Sequence, residues 1–189
     1  MKNKNYNITI YDCLRDGTAR FILGTSGNNT LITIGLNPSS ANRVKSDYTV
    51  TKVIGFKDKA KKFDSFIMLN LYPQRATDPK DIHISVDKEL YQENLKNIIR
   101  TLTTTKNASV LAAWGGGISK RDFFFQCLTD IYKATKSIKI NWLQIGELTK
   151  KNHPQHPSRA HYNSELIPFN FNKYFLTLNP SVRVLKNLK

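Results

Sequence analysis

The sequence has little cysteine: Cys13 and Cys127 are the two in 189 residues, and they lie far apart and outside any CxxC pair. This shortage excludes a disulfide framework and a thiolate zinc cage, because both need several closely spaced cysteines. We expect the two side chains to be ordinary buried thiols.

Long hydrophobic runs are also missing. No stretch approaches the roughly 20 apolar residues that a membrane-spanning helix needs, and residues 1–10 lack the apolar middle of an export signal. We therefore expect a cytoplasmic protein without a membrane partner. Hydrophobic residues make up 40% of the chain, which is enough for a core. The length favours a single domain over residues 1–189, and we expect a monomer.

Acidic residues are scarce. The chain has 14 Asp and Glu against 29 Lys and Arg, which gives a net charge of +15. Such an excess favours a polyanionic partner, either DNA, single- or double-stranded, or an acidic protein. A Lys-rich solvated surface that only reflects the base composition of the genome is the alternative interpretation.

Apolar runs rich in β-branched residues alternate with segments of helical period. The runs predict strands at Leu31–Gly35, Phe66–Leu71, Val110–Trp114 and Ile138–Ile145, with outer strands at Arg20–Leu23 and Tyr174–Leu178. The helical period predicts helices at Val50–Phe63, Asp87–Leu102 and Arg121–Ala134. This alternation is typical of βαβ units. We expect a three-layer α/β/α sandwich with a central four-stranded parallel sheet.

Ligands of such sheets bind beyond the carboxyl ends of the strands, and the unusual polar residues of this chain follow those ends. Asn37 lies in a turn that Pro38 stiffens, so its amide points in a fixed direction; a plain turn is the alternative, since Asn-Pro-Ser recurs at 179–181. Asn70 ends an apolar strand, and its amide offers the donor and acceptor that the O4 and N3–H edge of uracil requires. A structural Asn bonded to its own loop is equally consistent with this position.

His153 and His156 lie on a proline-bracketed loop that also carries Lys150, Lys151 and Arg159. An imidazole in such basic surroundings can stabilise an oxygen that gains charge as a bond breaks. The spacing of His153, His156 and His161 makes zinc a weaker hypothesis, because no Cys or acidic cluster accompanies it. The Gly-Gly-Gly after Trp114 does not complete a nucleotide-binding motif.

Taken in order, these segments resemble the motifs of the uracil-DNA glycosylase superfamily, whose fold is a four-stranded parallel sheet between helices. GLNPS at 35–39 is similar to Asn-bearing forms of its water-activating motif, and residues 68–70 match the strand that ends in the base-reading Asn. Residues 113–115 resemble its L-W-G, and residues 156–158 resemble the first half of its H-P-S-P-L. The chain also resembles an uncharacterised bacterial domain family that shares GLNPS, NLYPQRATDP, AWG and HPxHP over residues 20–165.

The resemblance implies roles for individual residues. Asn37 would position the attacking water, Asn70 would read the flipped base, and His156 would stabilise the departing base anion. The remaining base-site residues would be Gly35, Pro38, Ser39 and an aromatic residue, Phe56 or less readily Phe63. The residues that grip DNA would be Arg75, Lys150, Lys151, His153, Ser158 and Arg159. The resemblance implies no metal and no cofactor.

Three departures from the superfamily favour degraded catalysis. Ser39 stands where one form has the thymine-excluding Tyr, Asn37 replaces a carboxylate, and Arg159-Ala160 replaces the Leu that wedges into the duplex. One hypothesis is therefore a pseudo-glycosylase that binds acidic, DNA-mimicking glycosylase inhibitors. The alternative is an active glycosylase that removes uracil or another modified base in repair or phage defence. A nucleotide-processing enzyme is a third class, disfavoured because an acidic metal cluster is missing.

Overall fold

A computed structural model of the chain describes residues 6–178, which form an α/β fold of seven strands and four helices. The strands are β1 (Ile10–Cys13), β2 (Arg20–Gly24), β3 (Thr30–Gly35), β4 (Ser65–Asn70), β5 (Ser109–Ala112), β6 (Asn141–Ile145) and β7 (Leu166–Pro168). The helices are α1 (Tyr48–Ala60), α2 (Lys88–Thr104), α3 (Phe123–Thr135) and α4 (Phe171–Leu178). Short 3₁₀ turns lie at Pro79–Asp81, Gly115–Lys120 and Pro157–Arg159.

All seven strands form one mixed sheet in the order β1-β2-β4-β3-β5-β6-β7. The four middle strands, β4, β3, β5 and β6, run parallel, whereas β1, β2 and β7 pair antiparallel. The expected sheet of four strands is thus too small. The four predicted central strands correspond to the parallel strands β3, β4, β5 and β6. The outer strand predicted at Arg20–Leu23 corresponds to β2. β1 and β7 have four and three residues, too few to give a recognisable apolar run.

Helices cover both faces of the sheet, an arrangement compatible with three α/β/α layers. On one face, Ile32 and Ile34 of β3 pack in a cluster with Ile98 of α2 and Phe124 of α3. Leu31, which points the other way, packs with Phe56 of α1. The alternation along a strand explains this division, and burial on both faces explains why the central strands read as continuous apolar runs.

Sequence signals place three helices within about three residues of their observed ends, which is the usual uncertainty of such boundaries. Asp47 caps α1 by accepting a hydrogen bond from the backbone N–H of Val50, at 2.8 Å. Asp87 caps α2 in the same way through the N–H of Leu90, at 3.0 Å. Such caps satisfy backbone donors that the first helical turn leaves free.

The strand expected at Tyr174–Leu178 is wrong, because these residues belong to α4. Phe171, Tyr174 and Phe175 are buried at helical spacing, and this apolar face outweighs the β-propensity of aromatic residues. Tyr174 also holds a buried polar chain: its hydroxyl accepts from Trp114 Nε1 at 3.0 Å and bonds His153 Nδ1 at 2.9 Å. α4 thereby ties the end of β5 to the loop after β6.

Within residues 6–178, no helix has the length and apolar character needed to cross a membrane. Both cysteines are free, Cys127 buried and Cys13 partly exposed. Burial raises the pKa of Cys127 to about 12, so this thiol is un-ionised at neutral pH.

We predict that Tyr174→Phe destabilises the fold by about 1–3 kcal/mol, because the indole N–H of Trp114 and a ring nitrogen of His153 lose a buried partner. Urea denaturation of the variant measures the effect. Tyr48→Phe, at a side chain 65% exposed, is the matched control and should change stability by less than about 0.5 kcal/mol. Equal effects of the two changes would contradict the structural role of the buried chain.

Candidate functional site

The carboxyl ends of the parallel strands form one small pocket, the strand-end pocket. Residues from the ends of β3 and β4 and from the loop after β6 meet there, because parallel strands finish at the same edge. The lining residues are Arg20, Gly35, Asn37, Pro38, Ser39, Asp47, Thr49, Val50, Met68, Asn70 and His156. Six of the expected site residues are therefore brought together, namely Gly35, Asn37, Pro38, Ser39, Asn70 and His156.

Two glycines allow this close approach. A Cβ on Gly35 would lie 2.9 Å from Asn70 Oδ1, and a Cβ on Gly115 would lie 2.9 Å from His156 Cβ. Gly115 also has a φ of +63°, which other residues rarely adopt. The strand-end glycines therefore set the positions of the amide and the imidazole, and this is the physical content of the GLNPS and AWG motifs.

Asn70 is 2% exposed, and its Nδ2 is buried without a hydrogen-bond partner among residues 6–178. A satisfied structural Asn is therefore the wrong interpretation for this side chain. Its backbone is firmly held, because Asn94 Nδ2 donates to the carbonyl of Asn70 at 2.9 Å. An unpaired buried donor costs about 1–3 kcal/mol, and a ligand that accepts from Nδ2 can remove this cost.

Asn37 uses both hydrogens of its amide on backbone carbonyls. Nδ2 donates to Pro38 O at 3.0 Å and to Ala76 O at 2.9 Å. Its orientation is thereby fixed, and Oδ1 remains as the acceptor. A partly exposed acceptor on the pocket wall can hold a water molecule, but a neutral amide cannot take a proton from it as a carboxylate would.

His156 presents one defined tautomer. The hydroxyl of Ser158 lies 2.8 Å from Nδ1 and its backbone N–H donates to Nδ1 over 3.3 Å, so the proton of the neutral ring is on Nε2. Burial lowers the pKa of His156 below 6.5, and the Asp47 carboxylate opposes that shift only in part. At neutral pH the ring is thus an uncharged donor.

Sequence reasoning missed two charged residues of the pocket, Arg20 and Asp47. β2 runs antiparallel to β4, so its first residue, Arg20, lies at the edge where β4 ends. Arg20 is 1% exposed, and burial lowers its pKa to about 10. Asp47 is the cap of α1, and an Asp just before a helical pattern was the available signal.

Arg75 supports the pocket from outside. It donates to the carbonyls of Ser39 at 2.8 Å and Ala41 at 3.0 Å, and to the hydroxyl of Tyr11 at 2.7 Å. These bonds hold the segment after β3. Arg75 also lines a separate cavity of about 680 Å³, and its expected contact with DNA stays a prediction.

A family model described as "Protein of unknown function (DUF1643)" matches residues 20–158 of the chain. The chain belongs to this family. The match covers all the residues that line the strand-end pocket. Neither the curated proteins nor the solved structures include a match to the chain.

In this DUF1643 member, neither aromatic candidate reaches the pocket. Phe56 is buried between α1 and the sheet and stacks on Tyr162 with ring centroids 6.4 Å apart. Phe63 lines a cavity formed with the segments that precede β3 and β5, at the opposite end of the sheet. Phe56 is a buried residue of α1 that packs in the hydrophobic core outside the strand-end pocket, and its expected contact with a base stays a prediction.

The expected DNA-contacting residues divide into two groups. Lys150, Lys151 and Arg159 are exposed around the loop after β6. His153 is only 6% exposed and bonds Tyr174, which gives it a structural contact, and its expected contact with DNA stays a prediction. Ser158 is partly buried and serves as the hydrogen-bond partner of His156.

The zinc hypothesis gains no support. Among residues 6–178, no three His, Cys, Asp or Glu side chains form a group that could hold a metal ion. His153 is engaged with Tyr174, His156 faces the strand-end pocket, and His161 is exposed.

We predict that the folded DUF1643 protein loses stability as the pH falls below about 6.5. Burial lowers the pKa of both His153 and His156, so at low pH the unfolded chain binds more protons than the folded chain. The stabilisation is complete above pH 6.5 and is lost progressively on acidification. Melting temperatures between pH 7.5 and 5 measure it, and the double variant His153→Gln/His156→Gln should show a shallower fall. An unchanged dependence of melting temperature on pH in that variant would contradict the prediction.

Proposed function

We propose that this chain is a uracil-DNA glycosylase-like protein with a basic, DNA-type binding face and with weak or no uracil excision. The observation that supports it is the convergence of Asn37, Asn70 and His156 on one pocket. These residues come from three distant segments, and they are the ones to which the resemblance assigns water positioning, base reading and leaving-group stabilisation.

The polar atoms fit these three roles. Asn37 Oδ1 can accept a hydrogen bond from water, because Nδ2 is engaged elsewhere. Asn70 Nδ2 has no partner among the described residues, so it is free to donate to a base oxygen. The proton on His156 Nε2 can donate to an oxygen that becomes negative as the glycosidic bond breaks.

Several features favour weak catalysis. The strand-end pocket has a volume of about 20 Å³, which admits little more than one water molecule, so a base enters only if the walls separate. Among the described residues that line it, none is Phe, Tyr or Trp, and Asn37 cannot serve as a general base. Extrusion of a nucleotide costs a few kcal/mol, and this chain offers little to offset that cost.

The basic face favours an acidic partner. Lys150, Lys151 and Arg159 are exposed, and the net charge is +15. A protein that imitates DNA with carboxylates would be attracted to this face, since electrostatic complementarity speeds association and selects partners. The proposed partner is an acidic, DNA-mimicking inhibitor of uracil-DNA glycosylases.

An active glycosylase is the second candidate, and one observation favours it. The unpaired Asn70 amide is an energetic cost that a purely structural site has no reason to keep. In that case the hydrolysed bond is the N-glycosidic bond of uracil or another modified base.

An excision assay tests the catalytic part of the proposal. We expect uracil-containing oligonucleotides, single- and double-stranded, to stay intact after treatment with substoichiometric protein and then alkali. Many turnovers per protein molecule would contradict weak catalysis and favour the second candidate. Any excision should then fall by roughly 10² in His156→Ala, the scale of a lost electrostatic donor. Exposed His161→Ala is the matched control and should leave it unchanged.

A binding assay tests the partner. We expect the chain to co-elute with an acidic glycosylase inhibitor at low salt, and the complex to weaken as salt rises because the attraction is screened. Lys150→Glu/Lys151→Glu should weaken the complex at least 10-fold. Lys133→Glu/Lys136→Glu makes the same change in charge at exposed positions of α3 and just after it, and should have a smaller effect. Failure to co-elute at low salt would contradict this partner.

A further inference from the structure

Arg20 places a buried positive charge in the wall of the strand-end pocket. Its side chain is 1% exposed. Nη1 donates to the carbonyl of Ala41 at 3.0 Å, whereas Nε is buried without a hydrogen-bond partner among residues 6–178. A guanidinium has five N–H donors, so this one is far from satisfied by the protein.

A second guanidinium lies beside it. Arg75 donates to the same carbonyl of Ala41 at 3.0 Å, and its charge contributes to the lowered pKa of Arg20. No carboxylate oxygen lies within 4 Å of either guanidinium in the described part of the chain. Asp47 is the nearby counter-charge, but its oxygens accept from the N–H groups of Val50 and Ala41.

Unpaired donors lie around the pocket, beside the acceptor Asn37 Oδ1 and the Asp47 carboxylate. Arg20 Nε and Asn70 Nδ2 are both buried and unpaired in the described residues, and His156 adds the proton on Nε2. Burying a cation and unpaired N–H groups is unfavourable. An acceptor that bonds them removes this cost, and a negatively charged acceptor gives the larger gain. The pocket is thus complementary to an anion rather than to a neutral base.

We propose that the strand-end pocket binds a phosphate group, held by Arg20, Asn70 and His156. These donors come from three different segments and line the same pocket. The volume of about 20 Å³ accommodates one phosphate oxygen, and the other oxygens remain at the mouth. The bound group is inorganic phosphate itself, or the phosphate of a nucleotide or of a nucleic-acid backbone.

This inference rests on the proposed function in one respect: it names the ligand class of the same pocket. It does not need excision, and it supplies a reason for weak excision, since a bound phosphate occupies the place of a base. The phosphate test uses no uracil and no inhibitor protein. Its result is therefore independent of the excision and co-elution experiments, and either proposal can fail without the other.

Calorimetric titration and thermal melts at pH 7.5 test the site at constant ionic strength. We expect inorganic phosphate to bind with a stoichiometry of one, and near-saturating phosphate to raise Tm by about 5 °C or more relative to chloride. Arg20→Gln should weaken phosphate binding at least 10-fold. Arg15→Gln removes the same charge from an exposed position outside the pocket and should leave the affinity unchanged.

Asn70→Asp keeps the test decisive if Arg20→Gln fails to fold. A carboxylate at this position adds a second negative charge to the pocket that Arg20 lines, so Tm without phosphate should rise and the response to phosphate should disappear. A lower Tm together with a retained phosphate response would overturn the proposal. So would a wild-type protein that does not respond to phosphate, or one that responds equally to acetate.

Two further arms identify the source of the phosphate. Tighter binding of thymidine 5′-monophosphate than of inorganic phosphate assigns the site to nucleotides. Tighter binding of oligothymidylate than of the monophosphate assigns it to a nucleic-acid backbone. In each case Arg20→Gln should remove the preference for the larger ligand. If this preference remains in the variant, the contact lies elsewhere and the assignment to the strand-end pocket is overturned.

Discussion

One backbone carbonyl organises the functional edge of this protein. Ala41 O accepts hydrogen bonds from both Arg20 and Arg75, each at 3.0 Å. The segment between β3 and α1, which carries Asn37 and the capping residue Asp47, is therefore fastened to the start of β2 and to the loop after β4. Charge-assisted bonds of this kind are stronger than neutral ones, but two like charges that share one acceptor repel each other. The bonds that hold the pocket wall thus also bring two positive charges together, and one of them, Arg20, lines the pocket with Asp47.

The topology explains why this charge lies beside the polar amides. β3 and β4 are parallel neighbours, and β2 runs antiparallel to β4. The first residue of β2 and the last residues of β3 and β4 consequently share one edge of the sheet. The helices between the parallel strands cover opposite faces, so they leave this edge open for loops. Close packing at Gly35 and Gly115 then brings Asn70 and His156 to the same pocket.

The sequence allowed much of the centre of the fold to be predicted, and less of its edges. Buried parallel strands are continuous apolar runs, and helices with caps and one apolar face leave clear signals, whereas β1 and β7 are too short to leave any. The convergence of Asn37, Asn70 and His156 followed from the rule that strand ends meet. Arg20 was missed because it enters through an antiparallel strand, and the burial of Phe56 and His153 was not foreseen because pattern alone does not tell a buried side chain from an exposed one.

The charge in the pocket acts differently on the two proposed ligands, uracil and phosphate. A neutral uracil gains little from Arg20 before its bond to the sugar breaks, so the guanidinium would act mainly on the departing anion, which is the condition for catalysis. A phosphate gains from the same group as soon as it binds. A site that holds phosphate firmly is therefore inhibited as a glycosylase by its own ligand, and the two activities exclude each other at this pocket. Asn37 supplies no base and the closed pocket admits no ring, and both features support the proposal that this chain binds rather than cleaves.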